Sequence, residues 1–312
     1  MKCLVPGGGG FIGTHLCEAL LAAGHAVRVL ERPRLELDEA RTVASQVEWV
    51  EGDFCNPADV KEAIAGCDVV YHLISTTLPK NSNENPVYDI ESNTIATLRM
   101  LDLAKQEKIH KIVFVSSGGT VYGRPTRIPI PESHPTDPLC SYGIGKLMIE
   151  KYLSLYYYLH GLNYCIVRLS NPFGEHQRPL AAQGAVAVFL HKALQGETIE
   201  IWGDGSIVRD YHYVKDAVDA LIKAMHYDGD CHLFNIGSGQ GRSLNEVLAE
   251  IELLLGRPVA RKYTPARAFD VPANVLDISL ARKLLGWQPQ TSFQEGLALT
   301  RDWMVKHNFG EP

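Results

Sequence analysis

The sequence predicts an α/β fold in which a doubly wound parallel sheet carries a smaller carboxyl-terminal α/β lobe. Three observations lead to this prediction. Short apolar runs alternate with longer amphipathic runs through the first half of the 312 residues, as they do where crossover helices join parallel strands. A glycine-rich turn links the first strand to the first helix. Past about Asn171 the alternation loosens into helical runs separated by loops that contain glycine and proline.

Strands and helices alternate along the first half of the chain. Strands are predicted at residues 3–5, 27–30, 69–73, 112–115 and 164–169, where short apolar runs occur. Helices are predicted at residues 11–23, 57–65, 90–105 and 142–160, where the runs are longer and amphipathic. This order is typical of the Rossmann fold, in which helices cover both faces of a parallel sheet. We therefore assign residues 1–170 to a Rossmann domain.

The second half is predicted to be mainly helical. Helices are expected at residues 182–194, 214–226, 243–255, 279–284 and 293–306. One apolar run there, residues 232–236, is typical of a buried strand and is expected to return to the first sheet. Residues 171–312 therefore form mainly a second lobe, and the domain boundary is not a single cut.

Composition excludes several classes of protein. The formal net charge of -6 comes with no basic stripe, which argues against nucleic-acid binding. No apolar run approaches the length of a membrane span and no leader segment is visible, so we expect a soluble cytoplasmic protein. The seven cysteines show no paired spacing and the twelve histidines show no metal-ligand spacing. We expect neither disulfides nor a metal site.

The glycine-rich turn is the signal for a cofactor. Glycines in the spacing G-x-x-G-x-x-G stand between the first strand and the first helix. Without side chains, the backbone can approach a pyrophosphate, and the start of the helix offers N–H groups and a favourable dipole. A dinucleotide is therefore expected at residues Gly7, Gly10, Phe11, Ile12 and Gly13.

The residue at the end of the second strand selects the dinucleotide. Glu31 can accept hydrogen bonds from both hydroxyls of the adenosine ribose, whereas its charge would repel a phosphate there. This favours NAD over NADP. Arg32 and Arg34 leave NADP open, because a guanidinium pairs well with phosphate; both arginines could equally lie in a solvated turn.

A tyrosine and a lysine form the chemical signal. Tyr142 and Lys146 are four residues apart and share one face of the predicted helix. A neighbouring ammonium favours a phenolate, and lowering the tyrosine pKa from about 10 to about 7 takes roughly 4 kcal/mol. Such a tyrosine is a general base at neutral pH. A second pair at the same spacing, Tyr211 and Lys215, lies away from the carboxyl edge of the sheet and is expected to be structural.

At this point the chain resembles a known family, the extended short-chain dehydrogenase/reductases, and within it the nucleotide-sugar 4-epimerase branch. The resemblance rests on motifs spread along the chain: "GGGGFIG", "GDFCNPADV", "VVYHL", "SNTIATL", "SSGGTVYG", "SYGIGK", "RLSNPFG", "IWGDGSIVRDYHYVKD", "FNIGSG" and "ARAFDVPANVLDISLARKLLGW". It implies NAD-dependent C4 epimerisation of a nucleotide-diphosphate sugar through a 4-keto intermediate, with Tyr142 as base and Lys146 beside it. It also implies a homodimer.

The resemblance implies further site residues. The cofactor contacts that it implies are Asp53, Phe54, Leu73, Ser75, Asn93 and Ser116, and each of them could instead be an ordinary strand-end or helix-cap residue. The substrate contacts that it implies are Ser117, Gly118, Asn171, Trp202, Arg209, Arg267 and Asp270. Arginine suits two adjoining phosphates because its fork donates in pairs, although a surface salt bridge would explain either arginine alone.

One position departs from the family pattern. Gly118 stands where the family carries a catalytic serine or threonine. In an extended segment Ser116, Gly118 and Thr120 would share a face, so Thr120 is expected to supply the missing hydroxyl. If the strand bends at Gly118 and Gly119, Ser117 becomes the candidate.

Two other functions stay open from the sequence. One is an NAD(P)H-dependent reductase, or a dehydratase, acting on a nucleotide 4-keto sugar. The other is a dinucleotide-binding regulatory module with impaired catalysis, which the glycine at position 118 would permit. An enzyme of the epimerase type should need no added reductant, and this separates it from the reductase.

Overall fold

A computed structural model of the chain describes residues 1–32, 45–79, 81–178, 184–266 and 271–307. The strands of these residues, β1 to β13 in chain order, are Lys2–Pro6, Ala26–Glu31, Glu48–Glu51, Val69–His72, Lys111–Ser117, Tyr164–Leu169, Asn171–Phe173, Ile199–Trp202, Val208–Tyr213, Leu233–Ile236, Gly241–Ser243, Arg261–Thr264 and Ala273–Asn274. The α-helices, α1 to α9, are Phe11–Ala22, Pro57–Ile64, Pro86–Asp89, Ala96–Gln106, Ser141–His160, Ala185–Gln195, Val214–His226, Leu244–Leu255 and Phe293–Lys306. Two π-helical turns are Ile90–Ile95 and Ala281–Leu285.

The main sheet has seven strands in the order β10-β6-β5-β4-β1-β2-β3. Strand β1 pairs in parallel with both β2 and β4, and β4 pairs in parallel with β5. The order reverses between β1 and β4, the topological switch point at which open α/β sheets bind their ligands. The predicted doubly wound fold is confirmed.

The centre of this sheet is buried on both faces. Every residue of β4 and β6 is buried, as expected for strands that helices cover on each side. Leu4, Ile112 and Phe114 belong to one hydrophobic core cluster with Met100 and Leu101 of α4. Complete burial of such a side chain stabilises the fold by about 1.5–3 kcal/mol, and this core fixes the strand ends that carry the site.

Strand β3 was not predicted from the sequence. It pairs in parallel with β2 at the edge of the sheet. Glu48 and Glu51 are exposed at its two ends, so its sequence lacks the continuous apolar run that identifies a central strand. Charged residues on an edge strand discourage pairing with another chain.

The helix predicted at residues 90–105 begins earlier and is interrupted. The Asn85 side chain accepts a hydrogen bond from the Tyr88 N–H at 3.1 Å, and Pro86 occupies the first turn, so α3 starts at Pro86. The π-helical turn Ile90–Ile95 then joins α3 to α4. Such turns add one residue per turn and are frequent at functional sites.

The chain divides into two compact units. The first unit consists of Met1–Gly123, Pro135–Arg168 and Val218–Phe234, and the second of Arg124–His134, Leu169–Ala217 and Asn235–Pro312. The segment 124–134 thus groups with the second unit although it falls within residues 1–170.

The second unit contains strands that the sequence analysis missed. Strand β9 pairs with β7, β11 and β13, and β8 pairs with β12. Ile199 and Ile201 of β8 are buried while Glu200 and Trp202 are exposed. This alternation over only four residues is a weak signal beside the stronger helical periodicity of the neighbouring segments.

Three findings concern disulfides, metal sites and membrane-spanning helices. None of the seven cysteines, all of which lie among the described residues, forms a disulfide. Within the described residues, no group of three or more histidine, cysteine, aspartate or glutamate side chains could hold a metal ion. None of the helices in that part of the chain is long and apolar enough to cross a membrane.

Candidate active site

The glycine-rich turn forms a close junction between β1 and α1. Gly7 has φ +79°, a conformation that side chains disfavour. A Cβ on Gly13 would lie 2.5 Å from the Gly7 carbonyl oxygen, so only glycine lets the helix approach the turn this closely. Gly10 is the N-cap of α1, which has no side-chain cap and no acidic residue in its first turn. The helix start therefore presents backbone N–H groups that fit a pyrophosphate.

The end of β2 bears on the choice of dinucleotide. Arg32 Nη2 lies 3.2 Å from Asp53 Oδ2. The Cys55 N–H and the Arg32 charge hold the Asp53 carboxyl pKa below its usual value, against the opposing effect of burial. Both side chains of the pair are about half exposed, so the ion pair is weak. It still gives Arg32 a carboxylate partner, which disfavours its use for an additional phosphate.

The Phe54 side chain lies in the hydrophobic core. It is 3% exposed and packs edge-on against the buried His72 ring at 5.2 Å. The adenine contact that the resemblance implies at Phe54 stays a prediction. The core takes the ring because burying an aromatic side chain is strongly favourable.

Asn93 fixes the loop that follows β4. Its Oδ1 accepts from the Thr76 N–H at 2.9 Å, and its Nδ2 donates to Asp89 Oδ1 at 3.0 Å. The side chain is thus held by contacts inside the protein, and the cofactor contact implied at Asn93 stays a prediction. Within the loop, Ser75 is exposed and donates to the Thr77 carbonyl at 3.0 Å, while Leu73 is half-buried.

Lys146 lies where the sequence predicts, on the face of α5 that also carries Tyr142. Its Nζ donates to the Val115 carbonyl at 2.9 Å, 4.8 Å from the Phe114 ring centroid and 5.6 Å from the Tyr142 ring centroid. Burial lowers the Lys146 pKa to about 8, an effect that the carboxylates of Glu150 and Asp89 oppose. The amine is therefore still mostly an ammonium at neutral pH.

The Tyr142 pKa differs from the prediction: the sequence predicts a lowered pKa, and the structure gives a raised one. Burial raises the Tyr142 pKa above its ordinary value, and the electrostatic effects of Cys140 and Asp89 raise it further. Desolvation of the hydroxyl outweighs the attraction of Lys146, whose ammonium is bonded to the Val115 carbonyl. In this protein alone Tyr142 is a neutral phenol, and lowering its pKa takes positive charge beyond that of Lys146.

The end of β5 does not follow the predicted alternation. The strand ends at Ser117, and a turn follows in which the Thr120 and Val121 N–H groups donate to the Ser117 carbonyl at 3.3 and 3.1 Å. Ser116 points into the interior, where its hydroxyl donates to Glu150 Oε1 at 2.5 Å. The predicted shared face of Ser116, Gly118 and Thr120 is therefore wrong. Because the chain turns after Ser117, Ser117 becomes the candidate that the sequence analysis named for this case, while the Ser116 hydroxyl is held by Glu150.

The turn nevertheless brings Thr120 beside α5. A Cβ on Gly143 would lie 3.2 Å from the Thr120 Cβ and 3.1 Å from its carbonyl oxygen. Gly143 adjoins Tyr142, so the turn packs against the first turn of the helix that carries the phenol. Among the described residues, the buried Thr120 Oγ1 has no hydrogen-bond partner. An unsatisfied buried hydroxyl is costly and indicates a ligand or water partner.

A cavity of about 240 Å³ lies within the second unit. Asn171, Trp202 and Arg209, which the resemblance implies as substrate contacts, all line it. Arg209 Nη1 donates to the Val208 and Val271 carbonyls at 2.9 and 2.7 Å, and Asn171 Nδ2 donates to the Asp210 carbonyl at 3.1 Å. Arg267 and Asp270 lie outside the described residues, as does Arg34.

The cavity also contains residues that the sequence analysis missed or set aside. Phe173 and Tyr211 form part of its wall. Tyr211 stands two residues from Arg209 on β9, and alternation along a strand places both on one face. This spacing could have predicted Tyr211 as a residue of the same site. Lys215, its partner in the second tyrosine and lysine pair, instead lies 3.3 Å from Glu175.

Comparisons with known proteins agree on one group of relatives. The sequence model of the NAD dependent epimerase/dehydratase family matches residues 3–237. The chain is 36% identical over 306 residues to a putative UDP-glucose 4-epimerase of Methanocaldococcus jannaschii, with 98% of this chain and 99% of that protein covered. The UDP-glucose 4-epimerase of Thermotoga maritima, solved with UDP-glucose, is 33% identical with a TM-score of 0.92, covering 99% of this chain and 100% of that one. The UDP-glucose 4-epimerase of Thermus thermophilus, solved with NAD, is 33% identical with a TM-score of 0.89, covering 98% and 99%.

Proposed function

Because this chain belongs to the NAD-dependent epimerase/dehydratase family, we propose that it inverts C4 of a nucleotide-diphosphate sugar through a 4-keto intermediate, using NAD. UDP-glucose and UDP-galactose are the first substrates to test. One observation supports this most directly: Tyr142 and the buried Lys146 lie on one face of α5 beside the end of β5. Hydroxyl oxidation needs a base at this position.

The first unit contains the residues that would hold the cofactor. The turn at Gly7, Gly10 and Gly13 fits a pyrophosphate, and Glu31 ends the strand next to it. Bound NAD supplies the acceptor for the hydride of C4 and later its donor. The positive charge of the oxidised ring would also favour ionisation of a nearby phenol.

The chain's own residues move the proton. Tyr142 takes the proton of the C4 hydroxyl as the keto group forms, and returns it when the hydroxyl of the other configuration forms. Lys146, an ammonium at neutral pH, favours the phenolate during this step. The Val115 carbonyl fixes its Nζ at 2.9 Å, so the charge is placed before substrate binds.

Residues of the second unit hold the nucleotide in this proposal. The cavity lined by Phe173, Trp202 and Tyr211 is aromatic, as a base requires, and Arg209 adds a cation suited to a diphosphate. Arg267 and Asp270 complete the set by their place in the family motif. Retention of the nucleotide by these contacts leaves the sugar free to turn over between the two hydride transfers.

We expect Thr120 to supply the hydroxyl that Gly118 lacks. Thr120→Val keeps the shape and removes the unpartnered Oγ1. Turnover should fall roughly 10- to 100-fold, the value of one hydrogen bond to a charged oxygen, with no loss of thermal stability. Ser117→Ala is the matched control and should change turnover less. A larger loss in Ser117→Ala, measured by the same steady-state rates, would assign the role to Ser117.

The function is tested with the purified protein and no added reductant. Incubation with UDP-glucose, followed by proton NMR, should show equilibration with the C4 isomer. A panel of UDP-, dTDP- and GDP-sugars then identifies the preferred substrate. Conversion only of 4-keto sugars, and only with NADPH, would establish the reductase instead. Bound NAD without conversion of any sugar would establish the regulatory module.

A homodimer in the cytoplasm completes the proposal. Helix α5 exposes a set of apolar side chains, and Tyr158 among them is 84% exposed. Such a set on one helix is typical of a helix-mediated interface. Sedimentation should give a mass twice the chain mass of 34.5 kDa. Tyr158→Glu should reduce the measured mass to that of a single chain. The seven cysteines show no paired spacing in the sequence, which favours a reducing compartment, and cell fractionation tests that location.

A further inference from the structure

Asp89 is a buried carboxylate beside the catalytic pair. Its side chain is 2% exposed and is bonded by groups from three segments. Thr77 Oγ1 donates to its Oδ1 from the loop after β4, Asn93 Nδ2 donates to the same oxygen at 3.0 Å, and Ser141 Oγ donates to Oδ2 at 2.6 Å from the start of α5. Asp89 thus joins the loop to the helix that carries Tyr142.

All the partners of this carboxylate are neutral. No lysine, arginine or histidine nitrogen of the described chain lies within ion-pair distance of Asp89. A buried charge without a cation is unfavourable unless hydrogen bonds stabilise it. Three donors surround the carboxylate here, and a charge at this place acts on the groups around it through a medium of low polarisability.

Ser141 is held on two sides. Its N–H donates to Asn83 Oδ1 at 2.9 Å, and its hydroxyl donates to Asp89. It is the first residue of α5 and directly precedes Tyr142. The position of the phenol relative to the loop therefore depends on this contact, since the loop is held by the same carboxylate through Thr77.

The Asp89 carboxylate also lies beside the turn of α5 that carries Lys146, because a Cβ on Gly145 would be 3.9 Å from Asp89 Oδ2. Cys140, Tyr142 and Lys146 face it from α5 and the residue before it. Its charge contributes to the raised Tyr142 pKa after burial and Cys140, and it opposes the lowering of the Lys146 pKa by burial. Glu150 also faces Lys146, from the same helix, and the buried His72 side chain faces it from β4.

We propose that Asp89 is a positioning residue of the reaction, which anchors the first turn of α5 to the loop after β4 and whose charge, together with that of Glu150, acts on Lys146. The proposal rests on the proposed function for the role of the pair. It adds a residue outside the pair and outside the cofactor and nucleotide sites. Its two parts, anchoring and charge, are separable by mutation.

The experiment compares two variants of the NAD-bound protein. Asp89→Asn removes the charge, and Ser141→Ala removes the anchoring hydroxyl but leaves the charge. Lys146 is titrated by carbon-13 NMR of protein labelled at the lysine ε-carbons, with Lys146→Met to assign its signal. Asp89→Asn should lower the titration midpoint by about half a pH unit or more, because one buried charge has been removed. Ser141→Ala should leave the midpoint unchanged.

Turnover provides the second measurement. Both variants should lower kcat, by about tenfold, since each loses a hydrogen bond to a charged group, with little change in KM. An unchanged Lys146 midpoint in Asp89→Asn, or wild-type kcat in Ser141→Ala, would overturn the proposal. If Asp89→Asn does not fold, Asp89→Glu retains the charge and must retain the wild-type midpoint; a shifted one refutes the assignment. Failure of the proposed function would give a different result: the wild type would not epimerise any sugar, while Asp89→Asn would still lower the Lys146 titration midpoint.

Discussion

Tyr142→Phe is expected to lower turnover roughly 10²- to 10⁴-fold, the usual contribution of a positioned general base. Phenylalanine fills the same space without the hydroxyl, so the fold and the bound NAD should be retained. The measurement is the initial rate of C4 isomer formation, together with the NAD content of the purified variant. Tyr158→Phe, at an exposed position of the same helix, is the matched control and should behave as the wild type.

For Tyr142 to act as a base, its phenol needs more electrostatic stabilisation than the sequence suggests. Burial raises the Tyr142 pKa, so the phenol must be ionised by charges assembled in the loaded enzyme. Loss of rate with NAD still bound would support that account. A Tyr142→Phe variant that epimerises at more than about a tenth of the wild-type rate would show that another group removes the proton, because even weak general-base catalysis exceeds that factor.

The sequence predicted those parts of the site that depend on local spacing. The turn at Gly7, Gly10 and Gly13 and the helical pair Tyr142 and Lys146 each lie within one turn or one helix. Their geometry follows from backbone rules that hold in any context. The structure accordingly places the glycines at the β1 to α1 junction and the pair on one face of α5.

The errors arose where tertiary contacts override local pattern. Alternation at the end of β5 failed because the chain turns after Ser117, and the Ser117 carbonyl closes that turn. The Phe54 ring lies in the core, which its place after a strand does not reveal. Asp89 gave no signal, because nothing in sequence shows that Thr77 and Ser141 meet the same carboxylate.

Protonation could not be predicted either. The spacing of Tyr142 and Lys146 suggests mutual stabilisation of their charged forms, and this assumption holds only if both remain hydrated. Burial shifts both groups toward neutrality, the phenol upward and the amine to about 8. Desolvation depends on every side chain packed around a group, so spacing alone cannot supply it.

Glu150→Gln is expected to lower the free energy of unfolding by about 3–5 kcal/mol, the usual cost of leaving a buried charge without its partner. Glu150 accepts from Arg168 Nε at 2.9 Å and Nη2 at 2.5 Å, and both side chains are 4% exposed. Arg168 would keep its charge in the variant and lose the carboxylate that balances it. Urea denaturation followed by circular dichroism gives the change.

Two further variants identify the cause of that loss. The exposed pair of Arg301 and Asp302 provides a surface control, and Asp302→Asn should change stability by less than about 1 kcal/mol. Replacing both buried partners, as Glu150→Leu with Arg168→Met, should recover most of the lost stability, because no unpaired charge remains. A double variant as unstable as Glu150→Gln would instead attribute the effect to packing, and to the hydroxyl of Ser116 that donates to Glu150.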